Sequence, residues 1–437
     1  MAKRFLISLL VLSALTLADR AEAQWRAERP YRGLFAGGIG ATNQLLTATA
    51  SAGTGWSDNL VTDPTGGESF LPNQAGNQFK GGVYSGSGVL SYSLNLGGVG
   101  LGATAGTTGQ YYAANTQRFV RREYASLGAS VPIWRGVTVN GSVAYQPYSL
   151  RSMFPGIYET SFVDPVIIDE DYPSSTVHYL SYAASTGYSR RISRRMSIQT
   201  GYSFQARPAV TGGAEGFVSH SVSGRLTRDL GRGIGGHVGY GYSRALYSQS
   251  DPFTFHTIDV GVDYSRAFSI SLSRRTTISF SSGTALYQTV TPKTFQFRVT
   301  GSARLNHEMG RTWNAGLAYN RGLGFSDTWM QPVFTDSLSA GAGGFINRRT
   351  QLRGGAGLVF GAGTVGSYGD ILGVSGGSSL SFAVTRHLNT ALTYSYYRQR
   401  FASTLALVEG FPQDYDGQSI RVSVSVWAPL FQRPRRP

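Results

Sequence analysis

The chain has 437 residues, of which 41% are hydrophobic and 12% aromatic, with no cysteine and a formal charge of +15. The absence of cysteine excludes disulfides and thiolate metal sites. The charge invites a nucleic-acid reading, but the arginines recur singly or in pairs at turns. No zinc-finger or single-strand-binding pattern accompanies them, so no nucleic-acid partner is expected.

The chain opens with Lys3 and Arg4, an apolar run from Phe5 to Leu17, and the small-x-small sequence Ala21-Glu22-Ala23. This predicts a secretory signal peptide over residues 1–23. The apolar run falls short of the ~20 residues that a spanning helix needs. Residues 24–44 leave room for a periplasmic tail or a small lumen insert. The glycines of Gly37-Gly38-Ile39-Gly40 follow no strand and open no helix, so they do not make a dinucleotide fingerprint.

From Val177 onward one cell recurs: an alternating strand, a tight Arg-rich turn, a second alternating strand and a longer loop that usually carries Asp or Glu. Val177 to Arg191, Met196 to Gln205, Val218 to Thr227, Ile234 to Leu246 and Ile258 to Arg266 follow this rule. Extending it in both directions places strands near residues 45, 82, 100, 123, 137, 176, 196, 217, 234, 254, 276, 294, 312, 337, 351, 371, 390 and 418. The expected fold is all-β: a transmembrane antiparallel up-and-down β-barrel of about 18 strands over residues 45–431, with a basic tail at 432–437. An even strand number returns both termini to one side.

Successive side chains in a strand point to opposite faces. Val422, Val424 and Val426 alternate with Arg421, Ser423 and Ser425, and Ile234, Val238, Tyr240 and Tyr242 alternate with Gly235, His237, Gly239 and Gly241. Soluble sandwiches alternate too. These runs, however, approach the ~10 residues of a tilted membrane strand and exceed the 5 or 6 of an average globular one. Tyr92, Tyr145, Tyr188, Tyr202, Tyr242, Tyr264, Trp313, Tyr319 and Tyr396 sit toward strand ends on the apolar parity, which suits two interfacial girdles.

Charge separates by side. The short turns carry Arg190, Arg191, Arg194, Arg195, Arg274, Arg275, Arg348 and Arg349, which predicts a basic periplasmic rim facing membrane lipid. The longer connections hold most of the acids, although Arg118, Arg121 and Arg122 are also read as lying on that side. Lumen positions are mostly Ser, Gly, Ala, Thr and Asn, with few bulky side chains, and a barrel of this size leaves a hollow that small residues do not fill. Arg225, Arg298, Arg304, Arg353 and Arg421 take the lumen parity against Asp259 and Asp263. The excess predicts a mild preference for anions, limited by salt screening across a wide bore. The outer loop from Arg151 to Ser175 is the candidate for an inward-folding constriction.

No catalytic constellation emerges. The histidines at 178, 220, 237, 256, 307 and 387 stand apart with no metal-ligand spacing, and His256 has the opposite parity to Asp259 and Asp263 on its own strand. Neither a metal, a cofactor nor an enzymatic activity is expected.

The last strand, Ser419-Ile420-Arg421-Val422-Ser423-Val424-Ser425-Val426-Trp427, resembles the terminal strand of Gram-negative outer-membrane β-barrel proteins, porins included. That pattern usually ends the protein on an aromatic residue, whereas this chain continues past Phe431 through Gln-Arg-Pro-Arg-Arg-Pro. The resemblance extends over the mature sequence and implies residence in the outer membrane, with outer-membrane lipid and the barrel-assembly machinery as partners. The function expected is a porin-like channel for passive diffusion of small hydrophilic or anionic solutes. An exporter of acidic polysaccharide and a closed barrel acting in surface interaction are the alternatives, and a homo-oligomer stays open.

Overall fold

Apolar residues on every second position, with Ser, Gly, Thr or Ala between them, give each strand one face for hydrocarbon and one for water. The described residues form a single sheet of antiparallel strands. The structure, a computed structural model, describes residues 42–58, 80–96, 98–113, 118–134, 136–149, 174–208, 216–231, 234–248, 252–270, 273–288, 295–310, 312–326, 331–363, 370–401 and 414–434. In chain order the strands are β1 (Thr42–Ser57), β2 (Gly81–Leu96), β3 (Val99–Tyr112), β4 (Arg118–Trp134), β5 (Val137–Ser149), β6 (Ser174–Ser193), β7 (Met196–Arg207), β8 (Phe217–Gly231) and β9 (Ile234–Tyr247). They continue with β10 (Phe253–Ile270), β11 (Ser273–Gln288), β12 (Phe295–Met309), β13 (Trp313–Ser326), β14 (Gln331–Phe345), β15 (Thr350–Gly363), β16 (Asp370–Ala383), β17 (Leu388–Phe401) and β18 (Asp414–Pro434).

Each strand pairs with its sequence neighbours, and β1 pairs with β18 from Thr42↔Pro434 to Ser57↔Ser419, which closes the 18-stranded sheet on itself. Closure removes the edges that would leave backbone N–H and C=O groups unpaired in lipid. It also explains two boundaries. Strand β1 starts at Thr42, within the stretch assigned to an N-terminal tail, and β18 runs past 431, because each end has the other as a ladder partner. Strands overrun their alternating segments elsewhere for the same reason: β6 begins at Ser174, and β10 at Phe253 instead of Ile258. Strand β4 likewise takes in Arg118, Arg121 and Arg122, which the sequence placed in an outer connection; Tyr112↔Arg118 and Thr108↔Arg122 are ladder pairs with β3.

The short turns lie at the end where both termini emerge. Gly98, Gly136, Gly231 and Gly310 adopt positive φ there, at 89°, 82°, 94° and 62°, a region that side chains disfavour. Other turns are closed by side chains. The Asn347 carboxamide oxygen accepts from the N–H groups of Arg349 and Thr350, both at 2.8 Å, and the Thr385 hydroxyl accepts from His387 and Leu388 at 3.1 and 3.0 Å.

The outward face carries Leu90, Leu127, Val222, Val238, Val260, Phe280, Val299, Leu317, Phe360, Leu392, Val422 and Val424, all exposed. A continuous apolar belt of this kind exceeds what a soluble monomer presents to water. Tyr145, Tyr202 and Tyr319 are exposed on the same parity. Tyr202 Oη lies 2.9 Å from His220 Nδ1 and Tyr240 Oη 2.7 Å from His256 Nδ1, so phenol and imidazole meet on the lipid side. His256 thus points away from Asp259.

Candidate functional site

A barrel of this type has its working surface inside. The last strand shows the rule: Arg421 is 7% exposed while its neighbours Ile420 and Val422 are 47% and 51% exposed to the outside. The same parity places Arg225, Arg298, Arg304 and Arg353 on the inward face, each flanked by outward apolar residues or glycine. Arg122, Arg207 and Glu308 share that face. The side chain of Asp263 is outside the described residues, and its backbone pairs with Gly235. Among the described inward residues arginine therefore far outnumbers acid.

One inward group of charges is brought together by register. Arg225 on β8 and Asp259 on β10 are both ladder partners of Gly239 on β9, and with no side chain between them the guanidinium Nη1 comes 3.4 Å from Asp259 Oδ2. His237, two residues along β9, places Nε2 3.0 Å from Asp259 Oδ1 and is buried. The sequence set His237 aside as isolated. Its signal was its inward parity, but its partner lies 22 residues away and is fixed only by the β9–β10 register.

The wall is irregular beside this group. The β10–β11 ladder runs to Ile258↔Thr284 and resumes at Tyr264↔Phe280, so five residues of β10 face three of β11. Such a bulge bends a strand and re-aims its side chains. Glycine makes it fit: a Cβ on Gly261 would overlap the Ser282 carbonyl oxygen, and one on Gly283 would overlap the Asp259 carboxylate.

The outer end of the lumen departs from the expectation of small polar residues. Val83, Phe217, Tyr247, Phe253, Phe255, Val333, Val359, Ile371, Tyr397 and Phe401 lie at the long-loop ends of their strands, on the inward parity, and are buried. Phe253, Val359 and Phe401 are 2%, 0% and 3% exposed. Phe217 packs on Tyr247 with ring centres 5.3 Å apart. The apolar residues at strand ends were legible, but their direction was not, because alternation weakens there. The tube is thus polar over most of its length and apolar at a collar toward the long loops.

At the opposite end Arg190, Arg191, Arg194, Arg195, Arg348 and Arg349 are exposed around the β6–β7 and β14–β15 turns. The side chains of Arg274 and Arg275, the signal segment 1–23 and residues 151–173 of the predicted loop lie outside the described residues, and its last two residues, Ser174 and Ser175, open β6. Among the described residues no group of three or more His, Asp or Glu has the geometry to hold a metal ion.

Fold and lumen together define an integral β-barrel protein with a polar, arginine-biased interior. No protein family matches the sequence, and no curated protein does. Among solved structures, the chain is similar to OccAB1 of Acinetobacter baumannii, at 11% identity over 93% of this chain and 100% of that one, with a TM-score of 0.39. It is also similar to OccK5 of Pseudomonas aeruginosa, at 10% identity over 88% and 98% with a TM-score of 0.40, and to an anion-selective porin from Comamonas acidovorans, at 10% over 89% and 100% with a TM-score of 0.31.

Proposed function

We propose that the protein is a passive channel in the outer membrane of a Gram-negative bacterium, admitting small hydrophilic solutes with a mild preference for anions. The observation that carries this reading is the inward excess of arginine on a closed wall that is mostly Ser, Gly, Ala and Thr below the apolar collar. Diffusion through such a wall needs no bond making, and the arginines act by long-range attraction. Screening limits that attraction to ~8 Å at physiological ionic strength, so selectivity is set where the path is narrow. We place that constriction at the apolar collar, whose inward side chains are buried. Reconstitution in a planar bilayer under a KCl gradient tests the reading. Stepwise conductance with a zero-current potential on the chloride side is expected; a barrel without conductance, or one selective for potassium, would overturn it.

A further inference from the structure

Two neighbouring short turns gather cations with little acid to match them. Arg190, Arg191, Arg194 and Arg195 surround the β6–β7 turn, Arg228 lies beside them near the end of β8, and all five are exposed. The single acid in these two turns is Asp229, and its Oδ1 is turned to the backbone, where it accepts from the Gly231 N–H at 2.7 Å. The Asp229 N–H in turn donates to the Arg195 carbonyl oxygen at 2.7 Å. The two turns are thereby tied into one platform of like charge.

Parity sets part of that charge against lipid. Arg190 pairs with Ile198, Ile198 with Leu226, and Leu226 with Val238, which is 51% exposed on the outward face, so Arg190 shares that face. Arg228 pairs with Met196 and follows Leu226 by two residues, so it faces outward too. Two strands and two residues separate the arginines, about 12 Å at ~4.8 Å between strands and ~3.4 Å per residue. The strip between them, Ile198 and Met196, is apolar. Its flanks are apolar as well: Ile192 and Leu230 are 58% and 59% exposed, and Leu230 Cδ1 lies 3.7 Å from where a Cβ on Gly236 would stand, between the outward Ile234 and Val238. Aliphatic side chains so exposed at a turn gain by entering acyl chains. Short turns take the periplasmic side in barrels of this class, and Tyr188, two residues before Arg190, belongs to the interfacial girdle. Arg190 and Arg228 therefore lie at the headgroup level of the inner leaflet.

We infer that the outward face of β6–β9 holds one lipid of the diphosphatidylglycerol type, with two phosphates and four acyl chains, from the periplasmic leaflet. Arg190 takes one phosphate and Arg228 the other through charge-assisted hydrogen bonds, and Arg194 and Arg195 add attraction from the turn. The acyl chains lie over Ile198 and Met196, between Ile192 and Leu230. Two single-phosphate lipids would each lose freedom separately, whereas a lipid that links its phosphates makes the second contact intramolecular. This goes beyond the channel reading and rests on the outer-membrane placement alone.

Native mass spectrometry of the barrel released from nonionic detergent counts the bound lipid. With lipids supplied at equal phosphate, one diphosphatidylglycerol is expected to stay bound where phosphatidylglycerol is lost. Its affinity should fall about tenfold in the Arg190→Gln, Arg228→Gln protein. The Arg348→Gln, Arg349→Gln protein loses the same charge at the β14–β15 turn and should bind nearly as the parent does. Equal retention of the two lipids, no retained lipid, an unchanged affinity in the first variant, or the same loss in both would overturn the inference. All four substitutions alter exposed side chains, and heat-modifiable migration on cold electrophoresis checks that each barrel is folded. KCl conductance should be the same in the parent and in the Arg190→Gln, Arg228→Gln protein. A barrel that conducts but retains no lipid leaves the channel reading standing and removes this one.

Discussion

At the residue scale, the charges that matter are held in place by glycines. Gly239 lets Arg225 reach Asp259, and Gly261 and Gly283 let β10 bulge against β11. Substituting Gly261→Ala forces a side chain into the Ser282 carbonyl and should cost about 1–3 kcal/mol, read as a lower urea midpoint for unfolding from vesicles. Asp259 offsets Arg225, so Asp259→Asn should raise chloride preference, moving the zero-current potential further in a KCl gradient. Arg225→Gln should move it the other way. These two shifts are opposite in sign, which separates a charge effect from loss of fold.

At the level of the strand, the two faces obey different solvents. Val424 lies near the middle of β18 and faces outward, and Ser423 beside it faces inward. Val424→Arg should destabilise the barrel by about 2–4 kcal/mol, because a cation at mid-bilayer is expensive, while Ser423→Arg should leave stability nearly unchanged and alter conductance. Chemical denaturation from phospholipid vesicles measures the difference. The position of each of the eighteen strands was readable because period-two alternation is local. The meeting of Arg225 with Asp259 was not, since it depends on both strands being in register with Gly239 of β9. Which side chains meet across strands depends on register, which local pattern does not report.

For the whole molecule, closure is the decisive contact. The β1–β18 ladder joins residues nearly four hundred positions apart, and Asp58 reinforces it by accepting from the Gln418 N–H at 2.6 Å. Truncation before Asp414 should leave two open edges, abolish the heat-modifiable folded band on cold electrophoresis, and yield aggregate from refolding trials. The sequence by itself indicated about eighteen strands, the parity of lipid and lumen faces, and the arginine excess inside, because each follows from one side chain and its immediate neighbours. Only the tertiary structure decided the Arg225–Asp259–His237 group and the buried apolar collar. These arise from register between strands and from the convergence of strand ends, where distance in space bears no fixed relation to distance along the chain.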